Sequence, residues 1–121
     1  MNGMARIDQL AQAALSGDAL LLRALAQEWL QENPLLAESL PPESNDRSIR
    51  VIAAGLVELF AQRRREAAPD WIRGVAGLDQ PLFLVRSAER MPRLRRLCET
   101  ESPLPLRKRN LFAPATYLRF A

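Results

Sequence analysis

The sequence predicts a mainly α protein: a single domain built as a compact bundle of about four to five helices, with an irregular, proline-rich C-terminal part. Three observations carry that prediction. Apolar residues recur at helical spacing through most of residues 1–66. Strong stop signals separate the recurring stretches. From residue 67 onward, prolines at 69, 81, 92, 103, 105 and 114 forbid long regular elements. The 121 residues fit one domain. With 48% apolar and 26% charged residues the chain can bury a core without metal or disulfide, and wholesale disorder is not expected.

Each element has its own signal. Ile7, Leu10, Ala11, Ala14 and Leu15 lie on one face of a first helix over 4–15, with Asn2 placed to cap it. Ser16-Gly17-Asp18 reads as a stop and a restart: Gly17 suits the left-handed position after a helix, and Asp18 suits an N-cap. A second helix over 19–32 carries Leu22, Leu25, Ala26 and Trp29 on one side, with Leu21 and Leu30 widening the stripe. Asn33-Pro34 ends it, and residues 33–45 form a loop with room for one helical turn. Ser44, Asn45 or Asp46 caps the third helix, 46–66. There Ile49, Ile52, Ala53, Leu56, Leu59 and Phe60 keep the period. Val51 and Val57 fall off that stripe, so this helix is expected to be buried on more than one side. Arg63-Arg64-Arg65 at its end complements the helix dipole.

Beyond it, Pro69-Asp70-Trp71 marks a short helical start. Leu82-Phe83-Leu84-Val85 is strand-like and can pair with Leu111-Phe112 as one short two-stranded ribbon. Met91, Leu94 and Leu97 define a helix over 92–101, with Pro92 in its first turn and Ser102-Pro103 as its stop.

Charge is distributed unevenly. Residues 1–60 hold four arginines against eight acids, while residues 61–121 hold thirteen cations against six, so −4 faces +7 behind a net charge of +3. All but Lys108 of the seventeen cations are arginine, which binds carboxylate and phosphate through a planar fork. The basic part has three clusters: Arg63–Arg65; Arg90, Arg93, Arg95 and Arg96; and Arg107-Lys108-Arg109. Two sources explain such clusters. Either they are solvated faces paired with the acidic half, or they meet an anionic partner. The candidate partner-binding residues are Arg93, Arg96, Arg107, Lys108, Arg109 and Asn110, and the last cluster is the first choice for mutation.

Catalytic chemistry has little to work with. The chain has no histidine, hence no ordinary general base and no common metal ligand. Cys98 is the only cysteine, so no zinc site and no internal disulfide can form. It reads as a small buried hydrophobe near a helix end. Arg95 and Arg96 are the groups that could lower its pKa. Phosphate-binding and nucleophile-elbow motifs are missing. The expectation is a non-enzyme with no cofactor and no metal. No apolar run is long enough for a membrane span and no signal-peptide pattern appears, so a cytoplasmic address is expected. The first two helices could be read as a helix-turn-helix. The second, however, is Leu-rich with one arginine and two acids, a poor surface for a negatively charged groove.

The segment from Ile52 to the C-terminal end resembles a group of small bacterial hypothetical proteins. The likeness rests on Ala53-Ala54-Gly55-Leu56-Val57-Glu58-Leu59-Phe60-Ala61-Gln62-Arg63, then Pro69-Asp70-Trp71, then Leu78 with Pro81 and Phe83. It closes on Ser102-Pro103 and Arg109-Asn110-Leu111-Phe112-Ala113-Pro114. Some of that group resemble antitoxin-like partners of nucleotidyltransferase-type toxins. The resemblance implies a binding surface and no chemistry, and assigns no ligand or catalytic residue. Three functions stay open: a protein-interaction or regulatory protein such as an antitoxin, a nucleic-acid binder using the basic half, and a self-associating domain in which acidic and basic halves of different copies meet.

Overall fold

Local rules account for most of the helix boundaries in the computed structural model, which describes residues 5–120. The first helix, α1, is Ile7–Ser16, shorter at its start than the pattern suggests. Arg6 stands at its N-cap, and the Gln9 side chain accepts the Arg6 N–H at 2.8 Å. Asn2, the expected cap, lies outside the described residues. Ile7, Leu10, Ala11 and Ala14 are buried as the period requires, whereas Leu15 sits at the exposed edge. Gly17 takes the left-handed conformation (φ 75°), and Asp18 accepts the Leu21 N–H at 3.1 Å to start α2, Ala19–Glu32. Leu22, Ala26 and Trp29 face inward, Leu25 and Leu30 are half-buried, and Leu21 faces out.

The loop that follows contains one 3₁₀ turn, Leu36–Glu38. The Trp71 indole N–H reaches back to donate to the Ser39 carbonyl at 3.0 Å, tying that loop to the second 3₁₀ turn, Asp70–Gly74. Between them runs α3, Arg47–Arg64, capped by Asp46, which accepts the Ile49 N–H at 3.2 Å. This helix is the centre of the molecule. Val51 and Val57 are buried together with the main apolar stripe, because α1 packs on one side and the C-terminal elements on another. Its closing residue, Arg65, is left-handed (φ 58°), a conformation uncommon for a residue with a side chain.

The C-terminal part is irregular as expected and remains well packed. It contains strand β1 (Leu82–Phe83), the 3₁₀ turn Arg86–Glu89, helix α4 (Pro92–Glu101), a single-turn helix α5 (Leu104–Arg107) and strand β2 (Leu111–Phe112). The ribbon forms between the expected segments, with Leu82 opposite Leu111 and Phe83 opposite Phe112. It is parallel, so the connection between its strands must be a crossover, and α4 and α5 supply it. α5 seats Leu106 against α3 at Gly55, where a Cβ would stand 3.0 Å from Leu106 and 3.1 Å from Leu111. Ser102 locks the far end: its hydroxyl donates to the Leu111 carbonyl at 3.1 Å and accepts the Ala113 N–H at 3.3 Å. The result is a mainly α fold, with five helices and one two-stranded ribbon among the described residues. No described helix is long and apolar enough to cross a membrane.

Candidate interaction surface

The arginine-rich stretch 86–96 follows directly from the ribbon. Val85 leaves β1 in extended conformation, the Arg86–Glu89 turn reverses the chain, and Met91 leads into α4 with Pro92 at the first helical position. Proline fits there because its missing N–H would have no intrahelical partner. α4 turns Leu94 and Cys98 inward, and Cys98 is its only buried residue. Arg93, Arg96 and Thr100 follow i, i+3, i+7 spacing on the opposite, exposed face. Beside them Met91 and Leu97 are also exposed.

Most arginines elsewhere are engaged within the molecule. Arg63 donates to the Ala115 carbonyl at 3.2 Å, and Arg64 to the Leu30 and Asn33 carbonyls, each at 3.1 Å. Arg47 donates to the Gly77 carbonyl at 2.7 Å. Arg95 pairs with Glu99 at 3.6 Å and lies 4.9 Å over the Phe83 ring. By contrast, Arg86, Arg90, Arg93 and Arg96 make neither a salt bridge nor a side-chain hydrogen bond among the described residues, and all four are exposed. Arg90, Arg93 and Arg96 make a cationic ridge leading into and along α4, while Arg86 lies back against Gly17 at the α1–α2 corner.

The six residues singled out from the sequence divide between two environments. Arg93 and Arg96 lie on the ridge, and Arg107 is exposed at the end of α5. The other three are structural. Arg109 is 4% exposed and donates to Glu58 Oε1 at 2.6 Å and to the Pro105 carbonyl at 2.9 Å. Lys108 holds the other oxygen of Glu58 at 2.7 Å. Asn110 is left-handed (φ 66°) and its side-chain amide donates to the Leu78 carbonyl at 3.0 Å. Burial removes Arg109 from any partner surface. Within the Arg107-Lys108-Arg109 cluster, Lys108 and Arg109 therefore clamp Glu58, whereas Arg107 makes no ion pair with it. Burial alone would raise the Glu58 pKa, but the hydrogen bonds and charges of Lys108 and Arg109 outweigh it and hold the carboxyl below its ordinary value.

Glu58 was the residue sequence reasoning passed over, although it is the one acid set into the apolar run Val57 to Phe60 of α3. Arg86 was also missed, because a lone arginine after a strand-like run carries no local signal.

Cys98 is fully buried, and burial followed by the nearby Glu99 pushes its thiol up, not down. Arg95 and Arg96, the groups that could have lowered it, do not offset that burial, which agrees with the reading of Cys98 as a small buried hydrophobe. Among the described residues no three acids or cysteines converge on a point that could hold a metal ion. No family model, no curated protein and no solved structure matches the chain.

Proposed function

We propose that this chain is a non-enzymatic interaction protein that docks the α4 ridge on an acidic surface of a protein partner in the cytoplasm. The observation that carries the proposal is the group of unpaired arginines, Arg90, Arg93 and Arg96, interleaved with exposed Met91 and Leu97. Arginine and methionine are both enriched at protein interfaces. A single-stranded nucleic acid would want free aromatic faces for stacking. Here Phe83 and Phe112 stack on each other at 5.4 Å, and Arg95 covers Phe83. The resemblance to antitoxin-like proteins agrees in asking for a surface rather than chemistry, and it makes the product of the neighbouring gene the first partner to test.

The test is co-purification of the tagged chain with that gene product, native against Arg93→Glu/Arg96→Glu. The native chain should hold a stoichiometric partner and rescue any toxicity of it, and the double variant should lose both at unchanged melting temperature. An unaffected complex sinks the assignment of the ridge. Salt-sensitive binding of duplex or single-stranded nucleic acid at low ionic strength, with no protein partner recovered, overturns the protein reading in favour of the nucleic-acid one.

A further inference from the structure

A second site lies where the helical and basic halves meet. Here the α1–α2 corner faces the chain from Leu84 to Arg90, and Tyr117 and Leu118 close one side. They line a half-open cavity of about 510 Å³, within the range of small-molecule sites. Its apolar lining includes Ala14, Leu22 and Leu84, all buried. Its cations include Arg86 and Arg90, neither of which has a salt bridge or side-chain hydrogen bond among the described residues. The single acid on it, Asp18, is already committed to capping α2.

Two details suggest that a ligand fits here. The Arg86 side chain is laid against the corner: a Cβ on Gly17 would meet Arg86 Cδ at 2.6 Å, so only glycine lets the arginine pass so close. The stem is thereby packed while the guanidinium has no anion. Tyr117, which also lines the cavity, buries a hydroxyl that has no hydrogen-bond partner. Buried polar groups are rarely left without a partner.

We propose that this cavity binds a small amphipathic anion: an apolar body against Ala14, Leu22 and Leu84, and a carboxylate or sulfonate-like head held by Arg86 and Arg90. The site stands apart from the outward residues Arg93 and Arg96 on which partner docking is tested.

Two fluorescent probes of the same apolar shape separate the charge from the cavity. Anilinonaphthalene sulfonate carries the anion, and phenylnaphthylamine lacks it. The sulfonate is expected to saturate one site, and Arg86→Gln/Arg90→Gln should weaken it by about tenfold. The neutral probe should change by less than about twofold, since it uses only apolar contacts. Arg73→Gln, at another surface, and Arg93→Glu/Arg96→Glu should leave the sulfonate unchanged. Octanoate should displace the sulfonate where octanol does not, a readout that needs no variant. Equal affinity for both probes, sulfonate binding indifferent to Arg86→Gln/Arg90→Gln, displacement by octanol as readily as octanoate, or no saturable binding would each overturn the proposal. Loss of partner docking in Arg93→Glu/Arg96→Glu with probe binding intact separates this site from the ridge.

Discussion

Replacing Glu58 with glutamine removes one charge from the ion cluster that joins α3 to α5. Arg109 is 5% exposed along its side chain and Glu58 24%, so the 2.6 Å pair between them is largely shielded from water. Removing one partner of a buried pair costs about 3–5 kcal/mol, because the other charge is left uncompensated. Two features reduce that here. Glu58 keeps some solvent, and Arg109 retains the Pro105 carbonyl at 2.9 Å. An expected loss of about 2 kcal/mol follows. For a chain of this length that lowers the melting temperature by about 8 °C. Lys108 is 46% exposed, so Lys108→Met should cost no more than about 1 kcal/mol.

The pH dependence has a definite sign. The folded-state pKa of Glu58 lies below the ordinary 4.5, so its stabilisation is complete above that value and disappears as pH falls through the lower folded value. Glutamine cannot titrate. Urea unfolding of the native chain and Glu58→Gln should therefore differ by the full amount at neutral pH and converge in acid. Equal losses for Glu58→Gln and Lys108→Met, or a gap that stays constant down to about pH 3, would refute the reasoning.

Two further outcomes are expected. Gly55→Ala gains about 1 kcal/mol of helix propensity but drives a methyl against Leu106 and Leu111, where overpacking costs about 1–3 kcal/mol, so denaturant unfolding should show a net loss; a stabilised variant would mean that α5 yields. Tyr117 is the only tyrosine, and burial pushes its hydroxyl well above the ordinary 10.0. An absorbance titration should show no tyrosinate at that pH in the folded protein, with stability declining above it because the unfolded chain ionises first; an ionisation centred on 10.0 while the fold persists would contradict the burial.

What the sequence made legible follows the range of the interactions. Helices Ala19–Glu32 and Pro92–Glu101 lie where period, cap and proline placed them, because all three signals act within a few residues. The left-handed Gly17 and the Asp18 cap were readable for the same reason. The ribbon's members were readable as apolar pairs. Its parallel direction was not, since that depends on a crossover of two helices. Arg109 marks the limit: it looks like its neighbours Arg107 and Lys108, and only Glu58, distant by 51 residues along the chain, makes it a core residue.

The same distinction decides what the unequal charge of the two halves is for. Were the basic half present to neutralise the acidic half, salt bridges should cross between them. Among the described residues only Glu58 makes that crossing, to Lys108 and Arg109. The remaining ion pairs, Arg6 with Asp8, Arg64 with Glu66, Arg73 with Asp70 and Arg95 with Glu99, are local and stay within one half. Other arginines act on backbone carbonyls: Arg47, Arg63 and Arg64 each tie down a segment about 30 or more residues away, Arg64 through two carbonyls at once. A guanidinium suits that work better than an ammonium, since it spans two acceptors in one plane. Structural demand therefore explains arginine at those positions and at 109. It does not reach Arg86, Arg90, Arg93 and Arg96, which clamp nothing and neutralise nothing within the described residues. Those four cations have no internal counter-charge among the described residues, and an anionic surface or ligand would supply one.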